Sequence, residues 1–164
     1  MHAGHAFDSW AMPAMVRGML DQLKTAATIA RDAGEIIREV YAKDFAVAYK
    51  SARDPVTDAD TRANTFIVNA LRKAFPDDGI VAEESKDNSD ALASGRVWYV
   101  DPLDGTKEFI AKNGEFAVML GLAIDGESKL GVVYQVAKEK LDTAVVGEGA
   151  RLETKEGTKP LEGR

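Results

Sequence analysis

The chain has 164 residues, 45% of them hydrophobic, which suffices for one soluble domain with a core of its own. Its 27 acidic and 21 basic residues leave a formal net charge of -6, with no basic stripe of the kind that grips a nucleic acid duplex. Cysteine is absent, which excludes disulfides, thiolate metal sites and cysteine nucleophiles and suits a reducing cytoplasm.

The first residues, MHAGHAFDSWAMPAM, lack the basic start and continuous apolar run of a signal peptide, and Arg17, Asp21 and Lys24 interrupt any membrane span. Residues 1–14 therefore read as an N-terminal tail, with His2 and His5 as solvated side chains. From 15 to 41, Val16, Met19, Leu20, Leu23, Ala27, Ala30, Ala33, Ile37 and Val40 recur at helical spacing and predict a long amphipathic helix. Gly34 inside it costs about 1 kcal/mol relative to Ala, so a close neighbour is expected there. FAVAY at 45–49 predicts a short strand.

A second helix follows DPVTDAD at 54–60, with Ala63, Phe66, Ile67, Ala70, Leu71 and Ala74 as its inward stripe and Pro76 as its stop. Residues 80–82 form a short strand leading to Glu83 and Glu84; the polar stretch after them is an exposed connection with room for a helical turn. VWYV at 97–100 is a buried strand ending at Asp101. From Phe116 the alternation FAVMLGLAI, a DG turn, KLGVVYQVA, LDTAVVG and ARLET predicts an antiparallel meander. The metal-binding domain is expected over 15–154, and 155–164 as a polar tail or truncation point.

Chemistry concentrates in YVDPLDGTKEF at 99–109. Asp101 closes an apolar strand and Pro102 fixes the next φ, so the turn can aim Asp101, Asp104 and the Leu103 carbonyl at one point. Two carboxylates ~4 Å apart repel by about 4 kcal/mol at an effective dielectric near 20, a cost that a cation between them reverses. All-oxygen ligation selects a hard ion, Mg²⁺ in a cell. Asp is also a common turn residue, so D-x-x-D alone remains ambiguous. Glu83 after its own strand, Thr106 beside the aspartates, and Asp58 with Asp60 at a helix start add to the metal reading. Thr57 and Asp60 also have capping-box spacing. Glu84 and Glu115 read as solvated or hydrogen-bonded partners.

DPVTDAD, AEES and DPLDGTKEF together resemble the successive motifs of the inositol monophosphatase superfamily of Mg²⁺-dependent, lithium-sensitive phosphatases. KEF after DPLDGT, NGEF at 113–116 and LGVVY at 130–134 are similar to its bacterial 3'(2'),5'-bisphosphate nucleotidase branch. Simpler monophosphatases more often show T-N-F where this chain has Lys107, Glu108 and Phe109. The resemblance spans about 20–152. It implies an α+β fold, the N-terminal half of a layered αβαβα sandwich, with two long helices on a mostly antiparallel sheet. It further implies that Glu83, Asp101 and the Leu103 carbonyl hold a first metal, and that Asp101 and Asp104 contribute to a second. Thr106 and Asp60 would activate the attacking water, while Gly105, Thr106 and Lys107 would meet the substrate.

Members of that superfamily are longer, and a W-D motif completes their second metal site. Here Trp10 and Trp98 are both followed by other residues, so the expectation is a fragment or a shortened protein. The leading expected activity is removal of the 3'-phosphate from adenosine 3',5'-bisphosphate. An inositol or sugar phosphate is the alternative substrate, and a non-catalytic metal-binding or assembly module is the alternative role. An uncovered sheet edge or face predicts self-association into a homo-oligomer.

Overall fold

A computed structural model describes residues 14–51, 54–85 and 89–162. The expectations for the N-terminal tail, including His2 and His5, fall outside these residues apart from Ala14, which opens the first helix. Helix α1 spans Ala14–Tyr41, and a two-stranded hairpin, β1 (Val47–Ser51) and β2 (Asp54–Thr57), leads into α2 (Asp58–Ala74). The main sheet has seven strands in chain order: β3 (Gly79–Ala82), β4 (Arg96–Asp104), β5 (Ala117–Ile124), β6 (Glu127–Gln135), β7 (Lys140–Val145), β8 (Gly149–Thr154) and β9 (Gly157–Leu161). β3 and β4 are parallel, with a 3-10 turn at Ser89–Ala93 between them in sequence; among the described residues every other pairing is antiparallel. The short helix α3 (Thr106–Ile110) follows β4 directly. Two long helices on a mostly antiparallel sheet are thus the observed architecture, as the sequence implied. Among the described residues no helix is long and apolar enough to cross a membrane.

Alternation along each strand sends one set of side chains toward the helices. Trp98 and Val100 of β4, Val118, Leu120 and Leu122 of β5, and Leu130, Val132 and Tyr134 of β6 are buried in one cluster with Ala30, Ala33 and Ile37 of α1 and Ala63, Ile67 and Leu71 of α2. The expected α1 stripe is buried from Ala27 onward, whereas Val16, Met19, Leu20 and Leu23 are only partly covered. In α2 the buried face also takes in Asp60, Asn64 and Val68, and Ala74 is exposed. Tyr99 of β4 and Met119 of β5 point the other way and are exposed on an open face of the sheet.

A second, aromatic cluster fixes α3. Phe109 is fully buried, with its ring centroid 5.1 Å from Tyr41, 4.8 Å from Phe45 and 5.1 Å from Phe116. The expected neighbour of Gly34 is the Tyr134 ring: a Cβ at Gly34 would stand 2.4 Å from Cε1. Arg38, one turn further along α1, holds that ring by its hydroxyl, donating 3.3 Å to the Tyr134 hydroxyl and 3.0 Å to the Val136 carbonyl.

Three local readings need correction. β4 runs through Asp104 rather than ending at Asp101, because Asp104 pairs with Ala117 beyond a register shift; the reversal comes one residue later, at Gly105. DPVT forms β2, since antiparallel pairing with β1 satisfies backbone groups of a polar segment that carries no strand-like alternation. The polar end at 155–164 contributes β9, which pairs with β8 from Ala150↔Leu161 to Thr154↔Gly157 although all its side chains are exposed. Its stability comes from the ladder and not from burial, so hydrophobic periodicity could not reveal it.

The Gly34 contact gives a direct test. Gly34→Ala gains about 1 kcal/mol in helix propensity, but overpacking against a held aromatic ring costs roughly 1–3 kcal/mol. A net loss of about 1 kcal/mol in urea unfolding is expected; a gain would show that the ring yields freely.

Candidate active site

The site begins where β3 ends alongside the middle of β4. Ala82 pairs with Val100, and the Glu83 N–H donates 3.0 Å to the Val100 carbonyl, so Glu83 and Asp101 leave adjacent strands as neighbours. Asp101 Oδ1 accepts the Leu103 N–H at 3.1 Å, a local turn across the fully buried Pro102. The Asp101 carboxyl is pushed up to about 7, first by burial, then by the charge and hydrogen bond of Glu83, then by the charge of Asp104. Concentrated negative charge around Asp101 is thus a property of these residues in this fold.

Asp60 approaches from α2. It is 2% exposed, and its Oδ2 accepts both the Thr57 N–H at 2.7 Å and the Thr57 hydroxyl at 2.5 Å, closing a capping box at the start of the helix. Its other oxygen, Oδ1, lies 2.9 Å from the Thr106 hydroxyl, which also stands 3.2 Å from the Leu103 carbonyl. Helix cap and Thr106 partner are therefore the same carboxylate, one oxygen each. Gly105 places Thr106: its φ is +88°, and a Cβ there would meet the Glu115 carbonyl at 2.6 Å.

The structure thus brings Asp60, Thr106 and the Leu103 carbonyl into one hydrogen-bonded unit, and Glu83 into contact with Asp101. Asp104 and Lys107 are exposed beside them. In the positions the side chains occupy, no three acidic or histidine groups among the described residues form a closed ligand set. The donor set nevertheless fits a hard divalent cation in kind and charge: carboxylates of Glu83, Asp101 and Asp104 plus a backbone carbonyl, all oxygen. Glu115 is not part of it, being paired with Lys138 at 2.8 Å.

Lys50 of β1 was not legible in the sequence as a site residue. Its ammonium lies 2.7 Å from Glu84 and 3.4 Å from Glu83. Burial alone would lower its pKa, but the hydrogen bond and charge of Glu84, followed by those of Glu83, hold it above the ordinary lysine value. Only the pairing of β1 with β2, and of β2 with the start of α2, carries it there, and no short motif reports such a path.

A groove of about 570 Å³ opens on the helix-free face of the sheet, lined by Val81, Tyr99, Met119 and Val133, with Glu83 and Asp101 in its wall. Another cleft of about 590 Å³, between Lys138, Lys140, Lys155 and Lys159, contains none of the expected site residues.

Two long helices on a mostly antiparallel sheet thus set Glu83 and Asp101 side by side from adjacent strands, with the Thr106–Asp60 contact next to the Leu103 carbonyl. Residues 19–162 match the inositol monophosphatase family, and the chain belongs to it. It is 42% identical over 132 residues to the 3'(2'),5'-bisphosphate nucleotidase CysQ of Escherichia coli K12, covering 79% of this chain and 52% of that protein. Nus factor SuhB of Pasteurella multocida is 36% identical over 136 residues, covering 82% and 51%. Among solved structures, the Thermotoga maritima IMPase superposes with a TM-score of 0.75 at 32% identity, covering 82% of this chain and 52% of that one. The chain spans about half the length of the curated relatives it matches.

Asp101 carries a pH prediction for the metal-free protein. Its folded-state pKa of about 7 lies above the ordinary 3.8, so its contribution to stability is full below that ordinary value and is lost as pH rises through 7. Asp101→Asn removes the loss. At about pH 8 in chelator the variant is expected to be more stable by roughly 1–2 kcal/mol, a figure discounted for a half-exposed carboxyl, and near pH 3.5 the two should converge. Urea unfolding at both pH values reads this; a variant less stable at high pH would contradict it.

Proposed function

We propose that this chain supplies the metal-binding and water-activating half of a Mg²⁺-dependent phosphomonoesterase, acting on a small phosphorylated substrate in the cytoplasm. The observation that carries the reading is the Thr106–Asp60 contact at 2.9 Å, standing beside the Leu103 carbonyl and the Glu83–Asp101 pair. Glu83, Asp101, Asp104 and the Leu103 carbonyl are the residues that would hold Mg²⁺. Bound there, the ion would neutralise phosphoryl charge and make water more acidic.

The remaining steps belong to the protein. With its proton directed to Asp60 Oδ1, the Thr106 hydroxyl has a lone pair free to accept a proton from the attacking water as it passes its own proton to Asp60 Oδ1. Asp60 stays aimed because its second oxygen is committed to Thr57. Phe109, locked in the aromatic cluster, keeps α3 and hence Thr106 in register with Asp60. Gly105, Thr106 and Lys107 are proposed to contact the phosphate, Lys107 through its ammonium.

Within this class we favour 3'(2'),5'-bisphosphate nucleotide as substrate, supported by the 42% identity to CysQ and by Lys107, Glu108 and Phe109 after DPLDGT. Inositol or sugar monophosphates are the second reading, supported by the Thermotoga IMPase likeness. A non-catalytic module is a third, supported by the exposed apolar side chains of the open sheet face.

The substrate test compares phosphate release from adenosine 3',5'-bisphosphate and inositol 1-phosphate with Mg²⁺, using this chain and a version extended to the length of its relatives. Preference for the nucleotide in the longer chain is expected; preference for inositol 1-phosphate would select the second reading, and metal binding without turnover in both chains the third.

The mechanistic test is Thr106→Val in the longer chain, which removes the hydroxyl while keeping the shape. Turnover should fall about 10²–10⁴-fold with metal affinity unchanged. Asp60→Asn is a poorer probe, because an amide nitrogen would face a donor at one of its two committed oxygens and cost roughly 1–3 kcal/mol of stability as well. Full activity of Thr106→Val would remove Thr106 from the mechanism.

A further inference from the structure

We propose that Lys50 acts as an internal cation for the acidic site: in the metal-free protein its ammonium shares Glu83 and Glu84, and metal binding requires it to give up Glu83 while keeping Glu84. The inference rests on the metal reading above and concerns how the site is regulated, not whether it exists.

Three observations carry it. The ammonium lies between two adjacent carboxylates at unequal distances, 2.7 Å to Glu84 and 3.4 Å to Glu83, so the nearer partner is the one not expected to bind metal. Glu84 is the more enclosed of the two, its side chain 10% exposed against 48% for Glu83. A buried carboxylate depends on its partner far more than an exposed one does, so Glu84 is the anchor and Glu83 the contact that can be released. Lastly, Glu83 leaves β3 beside Asp101 of β4, its N–H bonded to the Val100 carbonyl, so one carboxylate stands next to both the lysine and the metal-facing group.

A divalent ion and an ammonium on the same carboxylate repel each other, and the ion brings the larger charge. Occupancy by metal therefore drives Lys50 toward Glu84, where it already has its shorter contact. Because Lys50 sits on β1, the shift is felt by the β1–β2 hairpin and through it by Thr57, the residue that holds Asp60. From the other side, the Asn64 amide of α2 lies 3.4 Å from the Ser85 hydroxyl, so the Glu83–Ser85 turn is tied to α2 independently of the lysine. Lys50 is thus a positioning residue that sets the metal affinity of the site.

The test uses two substitutions with opposite expected signs. Lys50→Met removes the competing charge, and the Mn²⁺ dissociation constant measured by calorimetry should tighten about tenfold, equivalent to about 1.4 kcal/mol, while the metal-free melting temperature falls because Glu84 loses its partner. Glu84→Gln weakens the anchor and shifts the lysine onto Glu83, so Mn²⁺ binding should weaken. Lys50→Arg, which keeps the charge, should stay close to the parent. A merely structural role in bracing the 83–85 turn would make Lys50→Met and Glu84→Gln both weaken binding, and that result overturns the proposal, as does an unchanged affinity in Lys50→Met. Absence of any Mn²⁺ binding by the parent would overturn the metal reading itself and this inference with it.

Discussion

The register between β3 and β4 decides where charge meets in this protein. Because Ala82 lies opposite Val100 in a parallel pair, the next residue on each strand is a carboxylate, and the Glu83 N–H bond to the Val100 carbonyl prevents them from drifting apart. A slip of one residue would turn one of them to the opposite face of the sheet and dissolve the site. The hydrophobic cost of that slip is what keeps the charges together, since Trp98 and Val100 are locked into the core on alternate positions of the same strand. Repulsion among Glu83, Asp101 and Asp104 is therefore sustained by burial elsewhere. This is the usual relation between a functional site and the scaffold that tolerates it.

The rest of the site is built by reusing structural devices. A capping box starts α2, and its carboxylate has one oxygen left for Thr106. A glycine at positive φ ends β4 and in the same step swings Thr106 toward that oxygen. An aromatic cluster holds the five-residue α3, which is too short to be stable by itself. Each element has a structural reason to be where it is, and the chemistry follows from which atoms those reasons leave unoccupied. Lys50 extends this economy, since the cation that stabilises the metal-free cluster belongs to the hairpin preceding Asp60.

Much of this was legible in the sequence, and the exceptions have physical causes. The long helices and the meander announce themselves through periodicity, because their stability comes from burying a face. DPLDGT and AEES stood out because each sets a carboxylate directly after an apolar run, and the structure makes Glu83 and Asp101 neighbours. Strand β9 and the DPVT strand were missed because backbone pairing, not burial, holds them. The buried side of α2 includes Asp60 and Asn64, polar residues that a hydrophobic stripe cannot report. Lys50 was invisible for another reason: its partners lie 33 and 34 residues away, and their meeting depends on how the hairpin folds back.

The account stands or falls on whether Glu83, Asp101 and Asp104 with the Leu103 carbonyl form one cation site. The most direct measurement is residue-resolved: amide NMR spectra of the isotope-labelled chain titrated with substoichiometric Mn²⁺, whose unpaired electrons broaden signals near the bound ion. The account predicts saturable broadening centred on residues 83–85 and 101–106, reaching Asp60 on α2 and reversed by excess Mg²⁺. Broadening spread over exposed carboxylates such as Glu127 and Glu148, or none that saturates, would contradict it.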